Sequence, residues 1–131
     1  MMNSRWVRGN MLVEAAFLLP LVLALIIGVL EIGRALLGYS VLTYAVREAA
    51  RKAAVERMLT PDDPEVLARL DSLVTRGGFT VSTSSVQYAA PLQTGRLVRV
   101  SAGVDLNPIT ALVFPVGVIP LQTSTVIRYE R

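Results

Sequence analysis

Apolar and polar positions divide this chain into three regions with different periodicities. Residues 1–9 are short and polar, with Arg5 and Arg8. Residues 15–30 then run for sixteen positions without a charge, and residues 11–30 make twenty with only Glu14 charged. A helix needs about 20 apolar residues to cross a hydrocarbon core of roughly 30 Å, so this run has the length of a transmembrane segment. From Glu31 to Met58 there is no Pro, and Leu37, Val41, Tyr44 and Ala45 recur at helical spacing. The pattern predicts one helix over residues 14–58, about 67 Å long at 1.5 Å per residue. Its first half is lipid-like and its second half an amphipathic stalk. Pro20 lacks an N–H and should loosen or kink it. Glu48 and Lys52 are spaced for a favourable i, i+4 pair.

The remaining residues change period. Asp63 is placed as N-cap and Pro64 as first residue of a second helix, with Val66, Leu67, Leu70, Leu73 and Val74 as its apolar stripe and Arg76-Gly77-Gly78 as its end. Three strands are expected over residues 79–88, 96–106 and 121–131, with a turn at 91–95 between the first two. In the second, Val98, Val100, Ala102, Val104 and Leu106 alternate onto one face. The first changes parity between Phe79/Val81 and Val86/Tyr88, which calls for a bulge. Residues 107–120 read as an apolar connection with a helical turn near 109–113. Residues beyond 58 bury too little surface to stand alone, so the apolar face of the stalk, with Leu37, Val41 and Tyr44, is expected to complete their core. The expected fold class is α+β: a long N-terminal transmembrane and stalk helix, one short helix and a small antiparallel sheet of about three strands, shaped like a lollipop.

Composition narrows the chemistry. With 131 residues and 53% hydrophobic content, the chain is one domain and too apolar to be disordered. It has no Cys and no His, which removes disulfides, thiolate sites, and the commonest general base and metal ligand. No cofactor, no metal and no catalytic residue is expected. Lys52 is the sole Lys, and nothing in its spacing to Ser82, Ser84, Ser85 or Ser101 supports a Ser–Lys pair. The net charge of +3 is confined to residues 1–57, which carry seven basic and four acidic residues, while residues 58–131 carry six of each. Such a bias beside the apolar run fits a membrane flank rather than a nucleic-acid face, so no nucleic-acid partner is expected. Arg5 and Arg8 place the N-terminus on the cytoplasmic side.

Arg8-Gly9-Asn10, with Glu14 five residues beyond Gly9, resembles the processing site of type IV prepilins. Three stretches extend the likeness: residues 13–20 (VEAAFLLP), 28–34 (GVLEIGR) and 45–51 (AVREAAR). They resemble the TadE-like family of minor pilins or pseudopilins of the bacterial Tad (Flp) tight-adherence pilus. The resemblance covers about residues 8–55 and is loose beyond Met58. Ala15 departs from the Tyr that follows the Glu in the major Flp pilins, which favours a minor component; the major subunit of a divergent filament is the alternative within the same class.

The resemblance implies a leader over residues 1–9, cut between Gly9 and Asn10 by a prepilin peptidase. The mature unit is residues 10–131, with a transmembrane part (10–36), a stalk (37–58) and an outward α+β head (59–131). It implies insertion in the cytoplasmic membrane, assembly with other pilin subunits on an assembly platform, and a possible final place in a surface pilus. Glu14 is the assembly carboxylate in this reading. Ala24 with Gly28, and Ala45, Ala49 and Ala53, are small-residue ridges for helix packing or plain helix-forming filler. Rivals are an unprocessed bitopic protein with a periplasmic binding head, a cell-envelope enzyme anchored by the helix, which the missing His and Cys disfavour, an ordinary interfacial role for Glu14, and a secretory signal peptide. The last fits poorly, since Glu14 sits early in the run and no small-x-small site follows. Glu31 and Arg34 read as a surface i, i+3 pair. Because a side chain at Gly9 would obstruct close approach of a peptidase to the backbone, Gly9→Val should leave a full-length membrane-bound precursor, scored by intact mass.

Overall fold

Ser4–Val55 form one helix, α1, of 52 residues, about 78 Å long. It starts ten residues earlier than the apolar periodicity marks, so Gly9 and Asn10 lie inside it, and it runs through Pro20 without interruption. The computed structural model describes residues 4–55, 61–92, 95–112 and 117–129; the expected helix end at Met58 lies outside these. Pro64–Arg76 form α2, capped as the sequence predicts: the Asp63 side chain accepts from the Glu65 N–H at 2.9 Å and Pro64 occupies the first turn. Val66, Leu70 and Val74 face inward.

The strands β1 (Val81–Leu92), β2 (Gly95–Leu106) and β3 (Ile119–Tyr129) form an antiparallel sheet in sequence order. The expected bulge is present as a register shift between Val81 and Thr83 of β1. Pro91 belongs to β1 rather than to a turn, and Leu92 pairs with Gly95. A proline is tolerated there because β1 is an edge strand. A 3-10 turn, η1 (Ile109–Leu112), lies within the connection from β2 to β3.

The upper part of α1, α2 and the inner face of the sheet share one core. Leu42, Ala45, Val46, Ala49, Ala50 and Ala53 of α1 join Val66, Leu70 and Val74 of α2 and Val86, Val98, Val100, Ala102, Val104 and Leu106 of the sheet. The stalk therefore completes the head, as expected, but through a different face. Leu37 is 55% and Tyr44 62% exposed, and Val41 is half-buried. Four alanines beside Leu42 and Val46 let α2 and the sheet approach the helix axis, whereas Leu37 and Tyr44 stay exposed on its flanks. A periodicity anchored on Leu37 and Tyr44 selects those flanks.

Close approach is visible at Gly77, which ends α2. A Cβ there would lie 2.5 Å from Cγ1 of Val41 on α1. Gly78, at φ +83°, then reverses the chain in the left-handed region. Gly77→Ala should lower head stability by about 1–3 kcal/mol through overpacking. A fall of several degrees in the thermal unfolding midpoint of the detergent-solubilised protein would report it, while Gly28→Ala, with nothing within 4 Å, should leave the midpoint unchanged.

Candidate assembly surface and neck

Residues 11–26 of α1 are exposed throughout. The helix carries an 18-residue window of mean hydropathy 2.6 that is 0% buried. Burying apolar surface contributes about 25 cal/mol per Å², so a bare stripe of Leu, Val, Ile and Phe is stable only when lipid or other helices cover it. By length and composition this helix is able to cross a membrane.

Glu14 stands exposed within this surface. Sixteen uncharged residues separate it from Glu31, so the two carboxylates are about 25 Å apart along the axis, slightly less than the hydrocarbon thickness. Glu14 thus lies at one edge of the apolar span and Glu31 at the other.

The small-residue ridges have different fates. Ala24 is exposed, and Gly28 is only partly covered and has open space where a Cβ would stand. Ala45, Ala49 and Ala53 are fully buried in the protein's own core. The upper ridge is therefore occupied within the subunit, and the lower ridge faces outward.

At the exit of the apolar span, Glu31 and Arg34 do more than pair with each other. Their closest approach is 4.0 Å, between Arg34 Nη1 and Glu31 Oε1. The other Glu31 oxygen, Oε2, accepts the Ile109 N–H at 2.7 Å, and Arg34 Nη1 donates to the Asn107 carbonyl at 3.4 Å. The first N–H groups of a helical turn have no partner inside the turn. Here a carboxylate from 78 residues away caps η1 and ties the head to the neck of α1. Sequence reading finds the i, i+3 pair and misses this role, because nothing local to Glu31 signals residue 109.

Elsewhere the chemistry is sparse. Lys52 Nζ meets Glu65 Oε1 at 2.8 Å, joining α1 to the start of α2. On the outer sheet face, Ser85, Ser101 and Ser124 stand in one cross-strand row. They line a shallow hollow of about 560 Å³ with Thr83 and Gln122 and no ionisable group. Among the described residues no cluster of acids could hold a metal ion.

Residues 9–51 match the family model described as TadE-like protein. The N-terminal helix of this chain is TadE-like. The match begins at Gly9 and contains Asn10, Glu14, Ala24, Gly28, Glu31, Arg34, Ala45 and Ala49. No curated protein and no solved structure matches the chain. The stretch that matches is thus most of the helix that is long and apolar enough to cross a membrane. The matched stretch ends before the head, so the head's sheet and the partners of Glu31 and Arg34 lie outside it.

The neck is testable on its own. Glu31→Ala should expose the Ile109 amide and loosen η1, with a charge-assisted hydrogen bond of about 1.5–3 kcal/mol lost. Glu31→Gln keeps an acceptor oxygen and should retain most of the protection. Amide hydrogen exchange at Ile109 measures both.

Proposed function

We propose that this protein is a minor pilin or pseudopilin of a Tad-type pilus, without catalysis of its own. It is inserted with its N-terminus inside and its head outward, processed between Gly9 and Asn10 by a prepilin peptidase, and delivered to the pilus assembly platform. One observation carries the reading: the helix that matches the TadE-like model leaves residues 11–26 exposed while its upper half is already committed to the head. A subunit built this way has one surface left for other subunits, and it lies at membrane depth.

Within that surface we assign helix packing to Ala24 and Gly28, where neighbouring helices are able to come close. Ala45, Ala49 and Ala53 hold the head to its own stalk and are not part of the intersubunit surface. Glu14 is the assembly contact. After cleavage Asn10 carries an ammonium one helical turn from Glu14. A lone charge at the centre of a membrane helix costs roughly 2.5–3.5 kcal/mol. Pairing the carboxylate of one subunit with the terminal amine of the next removes both unpaired charges and sets the axial register. The shortened helix then spans residues 10–55, the lower part for assembly and the upper part for the head.

The hydroxyl-lined hollow on the outer sheet face favours a second reading, an unprocessed bitopic protein whose head binds a polar ligand outside the membrane. Intact mass of the protein from its own membranes separates the two, since only the pilin begins at Asn10. Glu14→Ala should still be inserted and cut after Gly9, because insertion depends on the apolar run and cleavage on Gly9. Its co-purification with sheared or detergent-extracted pilus complexes should be lost or strongly reduced, and Glu14→Asp should be partly impaired. Wild-type incorporation of Glu14→Ala would return the carboxylate to an interfacial role.

A further inference from the structure

We infer that the β2–β3 connection is a second membrane contact: its ends at Ile109 and Val118 rest on the lipid surface where α1 leaves the bilayer. The inference rests on α1 spanning a membrane, and it concerns a part of the chain that the TadE-like match does not reach.

Position comes first. Glu31 is the residue directly after the uncharged run of 15–30, so on a spanning helix it marks the outer edge of the hydrocarbon. The Ile109 N–H is bound to that carboxylate at 2.7 Å, and the Asn107 carbonyl is bound to Arg34 one turn farther out. The connection is therefore fastened at the height of the interface and not at the top of the head.

Surface chemistry comes second. Ile109 is 44% and Val118 52% exposed. Ile119 pairs with Leu106, so Val118 follows beside Asn107 at the same level, and on α1 Leu30 and Ile32 are exposed on either side of Glu31. No charged residue occurs between Asp105 and Arg128. The Glu31 side chain is only 14% exposed, which withdraws its carboxylate from the interface. The Arg34 side chain is 42% exposed and stands at headgroup level, where a cation is favoured by anionic lipid. Exposed apolar side chains beside a cation, at the level where the span ends, fit insertion at the headgroup–acyl boundary. Lipid is the occupant, because Ile109 and Asn107 are fastened to α1 where its apolar span ends, which on a spanning helix is the lipid surface. With two attachments, the span and this pad, the head is held at one tilt rather than swivelling on a single helix.

The chain has no Cys, so single-cysteine variants of the full-length protein report positions cleanly. Val22→Cys in the span, Val118→Cys in the connection and Ser124→Cys on the outer sheet face would each carry a nitrobenzoxadiazole label. The protein would be reconstituted in phosphatidylcholine vesicles containing a minority of phosphatidylglycerol. Quenching by lipid spin-labelled near the headgroup end is compared with quenching by aqueous iodide. The expected result is lipid quenching at 118 severalfold above that at 124, with iodide quenching reduced in the same proportion. Adding Glu31→Ala should return position 118 toward the aqueous pattern, and Glu31→Gln should not. Iodide access at 118 equal to that at 124 would overturn the inference. Shielding of 118 from both quenchers that grows with the protein-to-lipid ratio would also overturn it, since a protein neighbour would then be the cover. Absence of lipid quenching at 22 would remove the spanning helix and this inference with it, whereas lipid quenching at 22 without quenching at 118 removes the inference alone.

Discussion

One helix in this protein must satisfy two solvents along a single axis. Over residues 11–26 it is exposed and carries no charge but Glu14, a surface tolerable only in lipid or among similar helices. Its upper half is amphipathic and supplies Leu42, Val46 and four alanines to the core of the head. The rest of the structure follows from that division. The head is too small to enclose a core by itself and cannot be separated from the stalk without losing one wall. Alanines form that wall because α2 and the sheet need to come near the helix axis, as the tight fit of Gly77 against Val41 shows.

The division also sorts the small residues by use. Ala24 and Gly28 on the lower half face outward, whereas Ala45, Ala49 and Ala53 are consumed inside the subunit. A small-residue ridge is a permission for close packing, and the partner that takes it depends on what the chain places opposite. In the upper half the chain's own head takes it first.

Between the halves, Glu31 and Arg34 convert the end of the apolar span into an attachment for the β2–β3 connection. A comparable device closes the other side of the head. Asp62, at φ +53°, donates its N–H to the Val86 carbonyl and accepts the Val86 N–H on its own carboxylate. One residue thereby satisfies both backbone groups of an edge strand and blunts that edge against pairing with another chain. Both devices join segments far apart in sequence through a single acidic side chain and a backbone N–H.

Local chemistry settled much of this protein without tertiary information. The apolar run, the Asp63-Pro64 start of α2, the Gly77-Gly78 stop, the alternation of β2 and the parity change that became a bulge all depend on neighbours within a few residues, where capping, turn and periodicity rules act. The TadE-like character was legible for the same reason, since it resides in one continuous helix. Tertiary structure decided what depends on opposing surfaces: which face of the stalk is buried, and what Glu31, Arg34 and Asp62 bind. Leu37 and Tyr44 are the larger and more conspicuous residues, yet the alanine face is buried, because a core is chosen by the fit between two surfaces and a sequence displays only one of them.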